Sequence, residues 1–296
     1  MSYPIHRPDA GHTFTQTTHH DTYPAIDSAT KSDHTGHYVF ITGASKGVGR
    51  ATAISFAKAG AAGIAIGARS GLDEVEKEIV AAAKAAGKTP PKVLKLKLDV
   101  LKFEDVKNAA KVTEKEFGMV DILINNAGWL DRFVVLEESD PHEYWLNYEI
   151  NIRGVYWMTK EFIPLLLKSG EKTIINLTSV GAHVIAYGAS GYQTSKFALL
   201  RFTEHLMVDY GQKGLLTYCV HPGGIPTELA VRMPEQIHHV LIDTPELAGD
   251  TMTFLTSKRI DWLAGRYLSC TWDMDELLLK KDEIVNEDKL LFRMKF

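Results

Sequence analysis

The sequence predicts a single α/β domain in which a parallel sheet of seven strands carries helices on both faces. Short apolar runs alternate with longer amphipathic ones from His37 almost to the C-terminus, a pattern typical of strand–helix–strand units. No internal repeat, low-complexity linker or break in composition divides residues 37–296. A chain of 296 residues can bury a full-sized core, so a second domain is not required.

The predicted elements follow one another as strand and helix in turn. Strands are predicted at 38–42, 63–67, 92–98, 120–124, 173–178, 215–220 and near Tyr267, and helices at 48–59, 72–86, 103–117, 141–168 and 190–210. Unbroken apolar character marks 38–42 as a buried strand, whereas 92–98 alternates Lys with Val or Leu and has one solvated face. Parallel sheets bind ligands at the carboxyl ends of their strands, so the site is expected there.

Three segments fall outside this alternation. Residues 1–36 are rich in His, Thr, Asp and Pro without a period, and predict a flexible N-terminal extension that is mobile or draped over the surface. Residues 225–243 mix Pro, Met, His and Gln between two regular regions and are interpreted as a lid of the domain 37–272. Residues 273–296 form an acidic and basic tail that is expected to pack on the domain or on a neighbouring subunit.

Composition excludes several classes of function. A net charge of -4 argues against a nucleic-acid or anionic-membrane partner. No apolar stretch resembles a secretory signal or a membrane span, so a cytoplasmic protein is expected. Cys219 and Cys270 lie in apolar runs without metal-ligand spacing, and the histidines of the extension are irregularly spaced. We therefore predict no metal site and no disulfide framework.

Three glycines lie between the first strand and the first helix, in the segment Thr42-Gly43-Ala44-Ser45-Lys46-Gly47-Val48-Gly49. Glycine lets the backbone approach a pyrophosphate closely, and the N–H groups and dipole at a helix start favour negative charge. The spacing is G-x-x-x-G-x-G and differs from the standard G-x-G-x-x-G fingerprint. The segment predicts a dinucleotide cradle, and a turn that only needs small residues is the alternative.

The end of the second strand bears on the choice between NAD and NADP. It reads Gly67-Ala68-Arg69-Ser70 and has no carboxylate for the ribose hydroxyls. Arg69 and Lys46 are placed to meet the extra phosphate of NADP with charge-assisted bonds, so NADP(H) is expected over NAD(H). The alternative is that both are solvated surface cations.

The third and fourth strands also end in polar residues. Asp99-Val100 closes the third, where a carboxylate can accept a hydrogen bond from an amino group such as that of adenine. Asn125-Asn126-Ala127-Gly128 closes the fourth. A lone Asp at a strand end is also a common turn or cap residue, so both interpretations of Asp99 stay open.

The candidate catalytic group begins with Tyr192 and Lys196, which are four apart and therefore share one face of a helix. A free Tyr has a pKa near ~10, and a neighbouring cation lowers it toward the range of a useful acid/base. Ser179 follows a strand, where its hydroxyl can polarise a substrate oxygen. Asn151 lies inside a predicted helix, which an internal Asn can kink. Each residue taken singly also fits a cap or a solvated position.

Taken in order, these motifs resemble the short-chain dehydrogenase/reductase family over about residues 37–272. The resemblance rests on the glycine loop, Asn125-Asn126-Ala127-Gly128, Asn151, Ser179, Tyr192-x-x-x-Lys196 and Pro222-Gly223. It implies a seven-stranded Rossmann fold and a homodimer or homotetramer paired through helices 141–168 and 190–210.

The resemblance also implies residue roles. Tyr192 would be the acid/base, Ser179 would steady the substrate oxygen, and Lys196 would hold the nicotinamide ribose and lower the pKa of Tyr192. Asn151 would order a water that relays protons to Lys196, and Pro222-Gly223 with Ile225 and Thr227 would embrace the carboxamide. The predicted cofactor-binding residues are Thr42, Gly43, Ser45, Lys46, Gly47, Val48, Gly49, Arg69, Asp99, Val100, Asn126, Ala127, Gly128, Tyr192, Lys196, Pro222, Gly223, Ile225 and Thr227.

The expected activity is the reversible, NADP(H)-dependent reduction of a ketone or aldehyde. Apolar and aromatic pocket candidates favour an aromatic or hydrophobic substrate; they are Trp129, His183, Tyr187, Met233, His238 and His239. His221 departs from the Asn that often precedes Pro-Gly in the family, and is interpreted as a packed polar residue. The alternatives are an NAD-dependent alcohol dehydrogenase and a non-redox protein that only binds the cofactor.

Overall fold

One sheet of seven parallel strands forms the centre of the computed structural model, which describes residues 10–294. The strands are β1 Tyr38–Thr42, β2 Gly63–Ala68, β3 Lys92–Lys97, β4 Ile122–Asn125, β5 Thr173–Leu177, β6 Leu216–His221 and β7 Tyr267–Ser269. Their order across the sheet is β3-β2-β1-β4-β5-β6-β7, and every pair is parallel. The predicted seven-stranded parallel sheet is confirmed.

The chain changes direction across the sheet between β1 and β4. It runs outward from β1 through β2 to β3, then crosses back and places β4 on the other side of β1, with Ile41 opposite Ile124. The loops that leave β1 and β4 therefore diverge, and the crevice between them is where open α/β sheets bind ligands.

Helices cover both faces of the sheet. They are α1 Ser28–Lys31, α2 Gly47–Lys58, α3 Asp73–Ala85, α4 Phe103–Phe117, α5 Pro141–Tyr148, α6 Val155–Leu166, α7 Ser190–Tyr210, α8 Pro245–Ser257, α9 Met274–Leu279 and α10 Lys281–Asn286. Along β1, Val39 and Ile41 belong to one buried cluster with side chains of α2, α3 and α8, and Phe40 belongs to a second cluster with α4 and α6. None of the helices within residues 10–294 is both long and apolar enough to cross a membrane.

The long helix predicted at 141–168 is interrupted. A π-helical turn, Glu149–Gly154, separates α5 from α6. Asn151 lies in this wider turn, and its buried side chain bonds backbone and side-chain groups outside the helix. The prediction of one continuous helix was wrong because these tertiary contacts favour the wider turn. The expectation that an internal Asn can kink the helix does identify the position of the interruption.

Helix α8 is an element that the apolar pattern does not predict. Its N-terminus has a local signal, since Thr244 caps Leu247 N at 3.3 Å and Pro245 occupies the first turn. Nine of its thirteen residues are buried, and several of these are Thr, Gly or Asp. Because small or polar residues occupy buried positions, the sequence of α8 lacks the apolar repeat that predicts an amphipathic helix.

The described part of the N-terminal extension, residues 10–36, packs into the domain. Ile26 is fully buried in the main core cluster, and Asp27 caps α1 by accepting from Ala29 N at 2.9 Å. His19 N donates to Thr271 O at 2.8 Å, next to an antiparallel bridge between Thr18 and Trp272. The expectation of a mobile or surface-draped segment is corrected for these residues, because Ile26 and the backbone bonds join them to the core.

The C-terminal tail lies on its own domain. Leu277 of α9 and Ile284 of α10 are fully buried. Beyond α10, Leu290 O accepts a bond from Tyr267 N at 2.9 Å on the outer strand β7. His19 of the extension and Leu290 of the tail therefore both bond the backbone at the β7 edge of the sheet.

Candidate active site

The four residues of the predicted tetrad meet at the carboxyl edge of the sheet. Ser179 follows β5, Tyr192 and Lys196 lie on the first turns of α7, and Asn151 lies in the π-helical turn. The Ser179 hydroxyl is near enough to the Tyr192 phenol for hydrogen bonding to lower the pKa of the phenol. The Lys196 ammonium lies 5.8 Å from the centroid of the Tyr192 ring. A Cβ added to Gly128 would lie 3.5 Å from Asn151 Oδ1 and 3.6 Å from Lys196 Nζ, so these groups surround one point.

Asn151 holds three elements together. Its Oδ1 accepts from Trp129 N at 2.8 Å, and its Nδ2 donates to Trp129 O at 3.0 Å and to Ser195 Oγ at 2.9 Å. It therefore links the π-helical turn to the loop after β4 and to the residue before Lys196. The water relay that the resemblance implies for Asn151 stays a prediction.

Burial controls the protonation of the tyrosine and the lysine. Burial raises the pKa of the Tyr192 phenol, and the bond with Ser179 lowers it in part. Burial lowers the pKa of Lys196 to about 8, although Lys196 Nζ donates to Leu177 O at 2.8 Å. The resemblance implies that Lys196 lowers the pKa of Tyr192, whereas here burial outweighs every other influence on the phenol. At neutral pH the phenol is therefore in the form that donates a proton.

The glycine loop fits the pyrophosphate of a dinucleotide. Gly43 and Gly47 have left-handed φ angles of 67° and 54°, and α2 begins at Gly47, directly after the loop. A Cβ on Gly49 would lie 2.5 Å from Asn126 Nδ2, so only glycine fits there. Asn126 Nδ2 donates to Thr42 O at 2.7 Å. Asn126 thus braces the loop, a role that its position in the sequence does not reveal.

The other loop residues follow from these bonds. Thr42 Oγ1 accepts from the backbone N–H groups of Asn126 and Ala127, both at 2.9 Å, and so joins the end of β1 to the loop after β4. Ser45 and Val48 lie half-buried on either side of Lys46 and Gly47. The predicted cradle residues therefore form one continuous surface at the switch between β1 and β4.

The two cations predicted to favour NADP differ in their surroundings. Arg69 is exposed directly after β2 and makes no ion pair with any of residues 10–294. Lys46 is exposed but pairs with Glu228 of the lid. Among the described residues, Lys46 therefore has a carboxylate partner and Arg69 has none.

Asp99 and Val100 serve the local structure. Asp99 Oδ1 accepts from Leu101 N at 3.1 Å, as a turn residue does. A Cβ added to Gly154 would lie 2.9 Å from Val100 Cγ2, so Val100 packs closely against the end of the π-helical turn. The contact predicted between Asp99 and adenine stays a prediction.

The lid 225–243 spans the site. At its start, Ile225 is buried and Thr227 Cγ2 lies 3.2 Å from the position of a Cβ on Gly47. Further along, the Arg232 guanidinium lies 4.1 Å from the centroid of the Trp129 ring. The lid therefore contacts the glycine loop near its start and the loop after β4 near its middle.

The pocket candidates separate into two places. Trp129 lies under the lid, and within the lid His238 Nε2 and His239 Nδ1 bond the carbonyls of Met233 and Gln236 at 2.8 and 2.9 Å. Tyr187 is exposed. His183 instead lines a cavity of about 230 Å³ that contains none of the tetrad and is bordered by Leu200, Glu204, Tyr267, Trp272 and Phe292.

His221 and the two cysteines have no visible part in the chemistry. Burial lowers the pKa of His221 to about 3, so its ring is neutral. Cys219 and Cys270 are buried free thiols. Among residues 10–294, no three His, Cys, Asp or Glu side chains are grouped to hold a metal ion.

Sequence reasoning missed two buried polar residues that lie against the glycine before Tyr192. A Cβ on Gly191 would lie 2.8 Å from Asn147 Nδ2 and 2.9 Å from Asp131 Oδ2. Both side chains are buried, and burial raises the pKa of Asp131. The glycine before Tyr192 therefore permits α7 to begin close to these groups. A polar residue in a loop or short helix carries no sequence signal for such a contact.

Comparison with known proteins agrees with this geometry. The family model described as short chain dehydrogenase matches residues 37–238. The chain belongs to the short-chain dehydrogenase family. Its relatives include the short chain dehydrogenases mpl6 of Monascus purpureus and citE of Monascus ruber, each 50% identical over 294 residues, with 99% of both chains covered. The family assignment makes the protein an oxidoreductase.

Solved structures resemble this short-chain dehydrogenase as well. An alcohol dehydrogenase of Thermococcus sibiricus complexed with 5-hydroxy-NADP is 27% identical with a TM-score of 0.68, covering 79% of this chain and 95% of that one. A 3-ketoacyl-(acyl-carrier-protein) reductase of Brucella melitensis complexed with NADH is 26% identical with a TM-score of 0.69, covering 80% and 97%.

Proposed function

We propose that this protein is an NADP(H)-dependent oxidoreductase that reduces a ketone or aldehyde to an alcohol, reversibly, with Tyr192 as the acid/base. The observation that carries the proposal is the meeting of Asn151, Ser179, Tyr192 and Lys196 beside a glycine cradle at the switch point of the sheet. Each of these residues alone also has a structural role, but their combination in one cleft fits proton transfer beside a dinucleotide.

The side chains of this site divide the work of carbonyl reduction. The nicotinamide, when bound, supplies the hydride. Ser179 holds the substrate oxygen, and the protonated Tyr192 phenol donates its proton to that oxygen as negative charge develops. Lys196 places a positive charge beside the phenol and stabilises the phenolate that is left. In the reverse direction the phenolate accepts the alcohol proton.

The preference for NADP rests on charge at the end of β2. Ala68 offers no carboxylate, and Arg69, which makes no ion pair within residues 10–294, suits a ribose phosphate. Both NADP-type and NADH complexes occur among the similar structures, so the comparisons do not choose between them. Glu228 pairs with Lys46, which leaves Arg69 as the residue on which the preference depends.

The substrate proposed is a small aromatic or hydrophobic carbonyl compound. Trp129, whose ring lies against Arg232 of the lid, and the half-buried Met233 are the side chains proposed to contact it. Pockets for such ligands use apolar walls with a few polar anchors, and the tetrad would supply the anchors.

The decisive experiment mixes the purified protein with NADPH and a panel of aromatic and aliphatic ketones, aldehydes and quinones, and follows loss of nicotinamide absorbance. We expect turnover that Tyr192→Phe lowers by at least about 10²-fold, because general acid catalysis contributes about 10²–10⁴-fold. Tyr210→Phe is the matched control. It lies on the same helix, eighteen residues from Tyr192, or roughly 27 Å at about 1.5 Å per residue.

Other outcomes would select the alternatives. A clear preference for NADH over NADPH, unchanged in Arg69→Ala, would contradict the role of Arg69 and favour an NAD-dependent alcohol dehydrogenase. Tight NADPH binding without turnover in either direction would favour a non-redox role.

A further inference from the structure

The last residue of the lid, Asp243, is bonded to the turn that follows β6. Its Oδ2 accepts from Gly224 N at 2.5 Å, and its own N–H donates to Gly224 O at 2.9 Å. Gly224 directly precedes the lid, so these two bonds join both ends of the lid. Asp243 is only 5% exposed, and the lid therefore closes on a buried carboxylate.

The two glycines of the turn leave room for the Asp243 carboxylate. Gly223 has a φ of 111°, and a Cβ there would lie 2.7 Å from Asp243 Oδ2. A Cβ on Gly224 would lie 2.1 Å from Val240 O. Two glycines in succession thus let the Pro222-Gly223-Gly224 backbone lie directly on Asp243 and the end of the lid.

The second oxygen of Asp243 is bonded to the N-terminal extension. His20 Nδ1 lies 2.6 Å from Asp243 Oδ1. Next to it, His20 O accepts from Thr244 N at 2.9 Å, and Thr22 Oγ1 donates to Asp250 Oδ2 at 2.5 Å. A buried carboxylate is costly unless its oxygens are paired. His20 supplies the pairing that the domain from residue 37 onward does not supply at that oxygen.

We propose that Asp243 and His20 are positioning residues for the proposed reaction: together they hold the Pro222-Gly223 turn and the base of the lid in the form that receives the nicotinamide. This inference rests on the proposed function. It makes residues 10–36 contribute to the cofactor site indirectly, because His20 acts on the turn through Asp243. Loss of either partner weakens cofactor binding and loosens the lid, and changes the proton-transfer step little because neither residue touches the tetrad.

The first test measures the lid without any cofactor. Arg232 is the one Lys or Arg within residues 225–243, so trypsin cleavage after it reports lid opening. Proteolysis follows the population of the open form when opening is fast. Asp243→Asn and His20→Ala are expected to raise the cleavage rate about tenfold, the effect of losing one charge-assisted bond of about 1.4 kcal/mol. His20→Asn, which restores a donor near the Nδ1 position, is expected to return cleavage close to the wild-type rate.

The matched control is His19→Ala. It removes the bond between His19 Nε2 and Asp273 Oδ2 at 2.9 Å, in the same segment but away from the turn. Its cleavage rate is expected to stay at the wild-type value. Equal cleavage in His19→Ala and His20→Ala would overturn the proposal, because it would show that any loosening of the extension opens the lid. Unchanged cleavage in His20→Ala would overturn it as well.

The second test is kinetic. With NADPH and a substrate from the panel, His20→Ala is expected to raise the KM for NADPH about tenfold and to change kcat by less than about threefold. A fall of kcat with an unchanged KM would contradict a positioning role. If the wild-type protein shows no turnover, the proposed function fails, whereas the cleavage result still decides whether the pair holds the lid.

Discussion

Lys196 is a charged side chain that lies almost fully buried, away from the water that stabilises its charge. It is 5% exposed, and its ammonium donates to one backbone carbonyl, Leu177 O, and pairs with no carboxylate of residues 10–294. Burial lowers the pKa of Lys196 to about 8, against about 10.4 in an unfolded chain. Below pH 8 the residue is charged in both states, so the folded state bears the full cost of burying that charge. Its position serves the tetrad at the expense of stability.

Lys196→Met is therefore expected to stabilise the protein while abolishing activity. The free energy of unfolding at pH 7 should rise by about 1–3 kcal/mol, since ~2 pKa units correspond to about 3 kcal/mol and the bond to Leu177 O is lost. As pH rises from 8 toward 10, wild-type Lys196 loses its proton in the folded state first, so the cost falls and the gain shrinks. Urea unfolding at pH 7 and 9.5 measures this. Exposed Lys111→Met is the control, and a less stable variant at pH 7 would contradict the argument.

At the scale of elements, the glycine loop depends on the packing of α2 against α8. Gly249 of α8 faces the backbone of Ala51 in α2, and an added Cβ would lie 3.0 Å from Ala51 C and O and 2.7 Å from Ser55 Oγ. Ser55 Oγ also donates to Asp250 Oδ1 at 2.6 Å. The helix that begins at the cradle is thus held by a contact with no room for a methyl group.

Gly249→Ala is expected to lower the free energy of unfolding by about 1–3 kcal/mol, because backbone atoms cannot move aside and the helices must separate. This loss exceeds the gain of about 1 kcal/mol that Ala brings in a helix interior. Denaturant unfolding of Gly249→Ala beside Gly170→Ala, where nothing lies within 4 Å, tests it. Equal stability of the two variants would show that the helices have room to adjust.

At the scale of the whole molecule, the extension belongs to the core. Ile26 is fully buried with side chains of the domain, and His34 Nε2 lies 3.0 Å from Thr253 O of α8. Burial lowers the pKa of His34 to about 4, so it packs as a neutral ring. Ile26 and His34 therefore join the described part of the extension to the folded core.

Ile26→Ala is expected to lower the free energy of unfolding by about 2–5 kcal/mol, as for other large-to-small changes in a core. Leu279→Ala, at a position that is 87% exposed, should change it by less than about 0.5 kcal/mol. The two variants are compared by urea unfolding. If Ile26→Ala changed the free energy of unfolding by less than about 0.5 kcal/mol, the extension would not be part of the core.

The exposed faces of α6 and α7 support the proposed homo-oligomer. Tyr156, Phe197 and Val208 are large apolar side chains exposed on these helices. Light scattering is expected to give at least twice the chain mass of 32.9 kDa. The double variant Tyr156→Glu/Val208→Glu should return to the single-chain mass, and Leu279→Glu on α9, an apolar position that is 87% exposed, should not. A wild-type monomer would refute pairing through these helices.

Local signals were sufficient for the strands and for the outline of the site. The strand predicted at 38–42 is β1, and the glycines after it adopt the left-handed angles that a cradle requires. The same signals failed at α8, where Thr253 and Thr256 bond the backbone one turn back and Asp250 binds Ser55. Polar residues with such hydrogen bonds can occupy buried positions, so the helix shows no apolar repeat in its sequence.

The sequence by itself determined the succession of the seven strands along the chain, the glycine loop and the spacing of Tyr192 and Lys196, because each depends on residues that are close together in the chain. Only the tertiary structure decided the π-helical turn at Asn151, the bracing of the cradle by Asn126, the protonation of Tyr192 and Lys196, and the pairing of His20 with Asp243. These features depend on contacts between distant segments; His20 and Asp243 are 223 residues apart. Burial and hydrogen bonding between such segments are set by packing, which local patterns do not encode.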